Sequence, residues 1–270
     1  MSQSIVVLHL NCSGCRAEAW INGIPVTRVD PDGCSSEVRP IHEYLLPGEN
    51  RVVVLVEPGS NPSQPMAPGV PFVPPAGAFA RLQIKQGLRG TFVDDPATRA
   101  LATVEWRPAS NAPVTPPVML ETSVILNSSW PRWSWLDGDR VTLSNEVTDR
   151  VHTLLRLLVE GMEKGDPSRY MRAAETRFAE IARAYGLSER ETQGNFLEDF
   201  QEVSAEPEFR MAEVARDKMA LRLCADGKVI DCLDTNFEPL LRATPRGDGS
   251  TPIRFPMKVA VFGQQMRVIR

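Results

Sequence analysis

Three patterns of apolar spacing divide the chain. Up to about residue 140 the apolar residues come in short runs separated by turn formers, from 144 to 204 they recur at helical intervals, and from about 211 short runs return. The first region predicts strands at Ile5–Leu10, Ala17–Ile21, Ile24–Val29, Ala80–Lys85, Thr103–Arg107 and Met119–Leu126. Asn22-Gly23 between two apolar runs predicts a tight hairpin, because both turn positions need positive φ. Pro47-Gly48 introduces Arg51–Val56, apolar at successive positions and so expected inside a sheet rather than at its edge. Pro58–Pro75 carries seven prolines, which lack the N–H that a sheet ladder needs; it is expected to be an extended loop.

Helical spacing begins with Val147, Val151, Leu154, Leu155, Leu158 and Met162, which share one face behind Ser144 as N-cap. Asp166-Pro167 predicts a second helix start, and that helix carries Tyr170, Phe178, Ile181, Ala182 and Tyr185 before Gly186 ends it. Ser188-Glu-Arg-Glu191 is a capping box opening a third helix with Phe196, Leu197 and Phe200. Met219–Cys224 and Val229–Cys232 around Asp226-Gly227 predict a type I′ hairpin, and Ile253–Phe262 with Met266–Ile269 completes an antiparallel set. Strands, then helices, then strands imply two domains: a β-sandwich over 1–140 with the proline-rich loop 58–75, and an α+β domain over 141–270 in which helices precede a curved antiparallel sheet.

The phrases Ala19–Val26 and Tyr44–Val54 carry an N-G-x-x-V hairpin followed by L-x-P-G-x-N and a core strand; in this they resemble galactose-binding-like jelly-roll sandwiches. The resemblance covers about 45 residues, rests on turns, and implies fold. The helical hairpin over 145–185 with Leu221–Ile230 resembles the cone-shaped nuclear transport factor two-like fold, across roughly 125 residues. That likeness implies helices over one face of a curved sheet and a pocket, used in some members for isomerisation or hydrolysis and in many for binding or dimerisation. Fold alone does not choose among these.

Composition narrows the partners. The chain has 270 residues with 42% hydrophobic and 24% charged, a globular balance, and no apolar run reaches the roughly 18 residues of a membrane span. Thirty basic and 34 acidic residues give a net charge of −4, without a general attraction to nucleic acid or anionic membranes. The first ten residues lack a basic segment and a long apolar run, so no signal peptide is expected and a cytoplasmic location is.

Chemistry-bearing groups are sparse. Cys12-Ser-Gly-Cys15 with Cys34 and either His42 or His9 offers four zinc-type donors, but the second half lacks the paired spacing of zinc modules; buried thiols at strand ends are the alternative. Cys224 and Cys232 are placed to face each other across the hairpin, as free thiols in a reducing compartment. The three histidines adjoin no nucleophile elbow, and neither a P-loop nor a dinucleotide fingerprint is present, so no cofactor is expected. Tyr170, Tyr185 and Asp231 could approach a C-terminal pocket as a minimal acid/base set, although a polar residue after an Asp-Gly turn is ordinarily exposed.

Two features suit a protein partner. Phe72 and Val73 stand on the proline-rich loop, and Trp130, Trp133 and Trp135 cluster near the expected boundary, where they either contact a partner or plug the junction. The expectation is a non-catalytic protein-binding module, of the kind that serves in bacteria as an immunity or adaptor partner of a secreted toxin, with pairing of two copies through the C-terminal sheet. The alternatives are a small-molecule isomerase or hydrolase using the C-terminal pocket, and carbohydrate binding by the sandwich.

Overall fold

A computed structural model describes residues 4–29, 36–57, 70–109, 112–127, 130–244 and 253–270; Cys34 and residues 58–69 of the proline-rich segment lie outside them. Three four-stranded antiparallel sheets are joined by a few helices. The chain gathers into two compact units, Met1–Pro131 and Arg132–Arg270.

In the first unit, β1 (Ser4–Ser13), β4 (Ser36–Pro40), β6 (Phe79–Leu88) and β7 (Arg99–Trp106) form one sheet in the order β4-β1-β6-β7. The other, β3-β2-β5-β8, is built from β2 (Arg16–Ile21), β3 (Ile24–Val29), β5 (Gly48–Glu57) and β8 (Val118–Leu126). Alternation sends Val6, Leu8 and Leu10 of β1 inward toward Ala17, Ala19, Val52 and Val54, so both sheets share one core. The turn at Asn22-Gly23 has φ of 51° and 77°, the left-handed pair that hairpin twist requires.

Asn50 explains the L-x-P-G-x-N phrase. Its fully buried amide accepts from Leu46 N (2.7 Å) and Asn22 Nδ2 (2.8 Å) and donates to Leu46 O (2.9 Å) and Gly48 O (3.1 Å). Asn22 in turn donates to Tyr44 O (2.9 Å) and accepts from Arg51 N (3.0 Å). Two turns distant in sequence are thereby locked together without an unpaired amide group.

In the second unit a meander of β9 (Met219–Cys224), β10 (Val229–Asp234), β11 (Lys258–Phe262) and β12 (Gln265–Val268) has the order β12-β11-β10-β9. Helices α1 (Asn145–Glu163), α2 (Ser168–Ala173), α3 (Glu175–Tyr185) and α4 (Glu189–Ser204) share a core with Ile230, Cys232, Val259 and Val268 of the sheet. Ser144 caps α1 by accepting from Val147 N, and the Ser188–Glu191 capping box opens α4. Gly186 ends α3 in the left-handed conformation.

Three expectations need correction. The helix expected from Pro167 to Tyr185 is two helices, broken at Ala174, where ψ rises to 9°. The Asp226-Gly227 connection is no two-residue turn: Ala225, Asp226 and Gly227 all have positive φ, at 47°, 56° and 82°. Consequently Cys224 opposes Val229 and Cys232 opposes Leu221, so the two thiols do not face each other.

Candidate functional site

Of the residues singled out for partner contact, few lie at the surface. Phe72 makes a bridge with Val114 (N to O 2.9 and 2.8 Å) and its half-buried ring packs on the sandwich core, while the neighbouring Val73 is 57% exposed. Trp130 lies half-buried with its ring centroid 4.6 Å from that of His42. Trp133 is fully buried and Trp135 nearly so, which leaves neither available to a partner. The Arg270 guanidinium lies 5.6 Å over the Trp133 ring, and Glu180 accepts both from Arg270 and from Ser134 N. The buried ion pair thus holds the Trp133–Trp135 segment in place.

Cys12 and Cys15 are buried, and their thiols donate to carbonyls, Cys12 to Cys15 O (3.3 Å) and Cys15 to Phe79 O (3.3 Å). The hydrogen bond with Cys12, and then burial, push the Cys15 thiol well above its ordinary pKa; burial does the same to Cys232. His42 Nε2 accepts the Val6 N–H at 2.8 Å, and His9 Nε2 lies 3.0 Å from Ser36 Oγ and 2.9 Å from Asn11 Nδ2. Among the described residues no group of three or more His, Cys, Asp or Glu side chains is arranged to hold a metal ion.

Tyr170 and Asp231 do not meet. Tyr170 is buried among the helices, its hydroxyl accepting from Arg177 (2.6 Å), within a stack that includes Phe178, Phe196, Phe200 and Phe255. This stack belongs to the core that the helices share with the sheet, where the fold resemblance implies a pocket. Ile230 and Cys232 point into that core, so strand alternation turns Asp231 to the opposite face. There its carboxylate sits between Arg222 (2.7 Å) and Lys258 (3.5 Å). Tyr185 is half-buried at the end of α3.

Open depressions lie on the outside of the second unit. Two of them, about 680 and 710 Å³, are both lined by Thr153 and Leu157 of α1. Of their histidine and acidic or basic groups, His152 donates from Nε2 to Val214 O (3.0 Å) and Asp149 pairs with Arg216. A third, of about 400 Å³, is lined by Arg172, Glu175 and Thr176 together with Gln265, Met266 and Arg267.

The first unit instead exposes apolar side chains that pattern reading missed: Phe92 (87%), Ile125 (70%) and Met119 (61%). Phe92 stands on the β6–β7 connection, which is built from successive turns. Its carbonyl accepts from Asp95 N (3.1 Å) and Thr98 Oγ1 (3.2 Å), and Thr91 Oγ1 donates to Leu88 O (2.7 Å). Lys85 ties the loop to the sheet through Val93 O (3.3 Å) and Asp94 (3.1 Å), holding the Asp94 carboxyl below its ordinary pKa. A lone aromatic residue inside Gly-Thr-Phe-Val-Asp-Asp-Pro was the available signal.

No protein-family model, no curated protein and no solved structure matches the chain. No helix of the described residues is long and apolar enough to cross a membrane.

Proposed function

We propose that the protein is a non-catalytic protein-binding module whose contact is made by the N-terminal unit; that unit is read as a galactose-binding-like sandwich and the C-terminal unit as a cone-like α+β domain. The observation that carries this reading is Phe92, an aromatic ring 87% exposed on a loop whose backbone is already held by hydrogen bonds. An aromatic anchor on a pre-organised loop binds without a large ordering cost, which is the physical setting of interface hot spots. Leu88 (53%) stands at the start of the same loop and adds apolar area. The aromatic stack under the helices favours this reading over a cone-fold enzyme, since it occupies the volume a substrate would need. An immunity or adaptor partner of a secreted toxin is the case that the sequence suggests.

The test is quantitative affinity capture with the parent chain and Phe92→Ser. The variant is expected to hold the main co-purifying protein at least ~30-fold less tightly, about 2 kcal/mol, with an unchanged melting temperature. Equal capture by a folded Phe92→Ser variant overturns the assignment of the contact to this loop.

A further inference from the structure

We propose that two copies of this chain pair through β8, antiparallel and about a two-fold axis at Thr122, so that the sheet β3-β2-β5-β8 continues into that of the second copy. The strand is an edge, and among the described residues its main chain is hydrogen-bonded to β5 alone. An uncovered edge invites another strand, and the other three edges of this unit are each blunted against that. β4 has five residues and ends in Pro40, β3 carries Pro25 and a register shift opposite Ala19 and Trp20, and β7 has a register shift opposite Ile84 and Lys85. β8 has none of these devices. Its nine residues contain no proline, glycine or lysine, and its register with β5 is unbroken from Val118 to Leu126.

Self-complementarity decides the partner. Pairing β8 with itself antiparallel over its full length sets Val118 opposite Leu126, Leu120 opposite Val124 and Met119 opposite Ile125. Met119 and Ile125 point away from the core and are 61% and 70% exposed. The two-fold brings them together twice, turning four exposed side chains into two cross-strand apolar pairs. Charges fit the same register. Glu121, held by Arg51 (2.7 Å), comes opposite Ser123 of the second copy, and Ser123 is the ladder neighbour of Arg51. Each of the two central rows therefore holds one glutamate and one arginine from different copies. Sliding the strands two residues one way would set Glu121 against its own counterpart, and the other way would leave Met119 beyond the end of the strand.

Sedimentation velocity of the full chain from ~1 to ~200 µM tests the pairing, and a concentration-dependent dimer is expected. Met119→Lys and Ile125→Glu each set a charge against an apolar side chain and are expected to weaken the dimer at least ~10-fold. In the double variant the new charges are opposite in sign and face each other across the axis, so dimerisation recovers. Both positions are exposed, so melting temperatures stay those of the parent. A chain that is monomeric throughout leaves this edge to another protein's strand and overturns the proposal. So does a dimer that neither single variant weakens, or one that the double variant, folded by circular dichroism, fails to restore.

Discussion

Replacing Asn50 by alanine removes four hydrogen bonds from a residue with no solvent exposure. The Leu46 N–H and one Asn22 N–H lose their acceptor, and Leu46 O and Gly48 O lose a donor. At about 1 kcal/mol for each neutral hydrogen bond, with some recovery as the turn relaxes toward water, the loss is about 3 kcal/mol. For a unit the size of Met1–Pro131 that lowers the melting temperature by about 10 °C. Asn50→Asp sharpens the test, since its carboxylate keeps the acceptors but directs an oxygen at Leu46 O and Gly48 O. Its cost at neutral pH should match or exceed that of alanine, and shrink as the pH approaches ~4 and the carboxyl regains a proton. Urea unfolding followed by hydrogen exchange and mass spectrometry reads both variants, with protection lost first over the Asn22-Gly23 turn and β5 and kept over α1. A cost below ~1 kcal/mol for Asn50→Ala, or parental stability for Asn50→Asp at neutral pH, would refute the claim that this amide locks the two turns.

Two further predictions concern buried charge. Glu180→Gln removes the carboxylate that the buried Arg270 guanidinium bonds and should cost about 3 kcal/mol or more in thermal unfolding; a neutral effect would mean the pair does not hold the Trp133–Trp135 segment. Burial, and then the Lys85 charge, hold His9 below its ordinary pKa of 6.5, with Arg81 acting the same way and Asp94 opposing. The unfolded chain therefore takes up the proton first, and this contribution to stability falls as the pH drops below 6.5 and levels off below the folded value. His9→Gln should flatten the urea midpoint between about pH 7 and 5, and an unaltered slope would rule His9 out as its source.

Local interactions were legible because they act within a few residues. The Asn22-Gly23 turn, the Ser144 cap, the Ser188–Glu191 box and the Gly186 stop all satisfy backbone groups close in sequence, and each stands where pattern reading puts it. The three-residue left-handed run at Ala225–Gly227 was not legible, because Asp-Gly is compatible with more than one turn length. Nor was the break at Ala174, since alanine carries no helix-stopping signal.

What a side chain faces depends on partners far along the chain, and there the amino-acid order is silent. Met119-Leu-Glu-Thr-Ser-Val-Ile-Leu126 is apolar at both parities near its ends, so only pairing with β5 decides that Val124 and Leu126 go inward and Met119 and Ile125 outward. The pattern leaves Trp133 and Trp135 as either partner contacts or a buried plug, and the Glu180–Arg270 pair that closes over their segment decides for burial. The strand order places Asp231 between Arg222 and Lys258, away from Tyr170, and so separates two groups that composition alone would combine. Burial of the apolar helix faces against the sheet likewise brings the α2–α3 junction to β12, and the depression between them exists only once that core has formed.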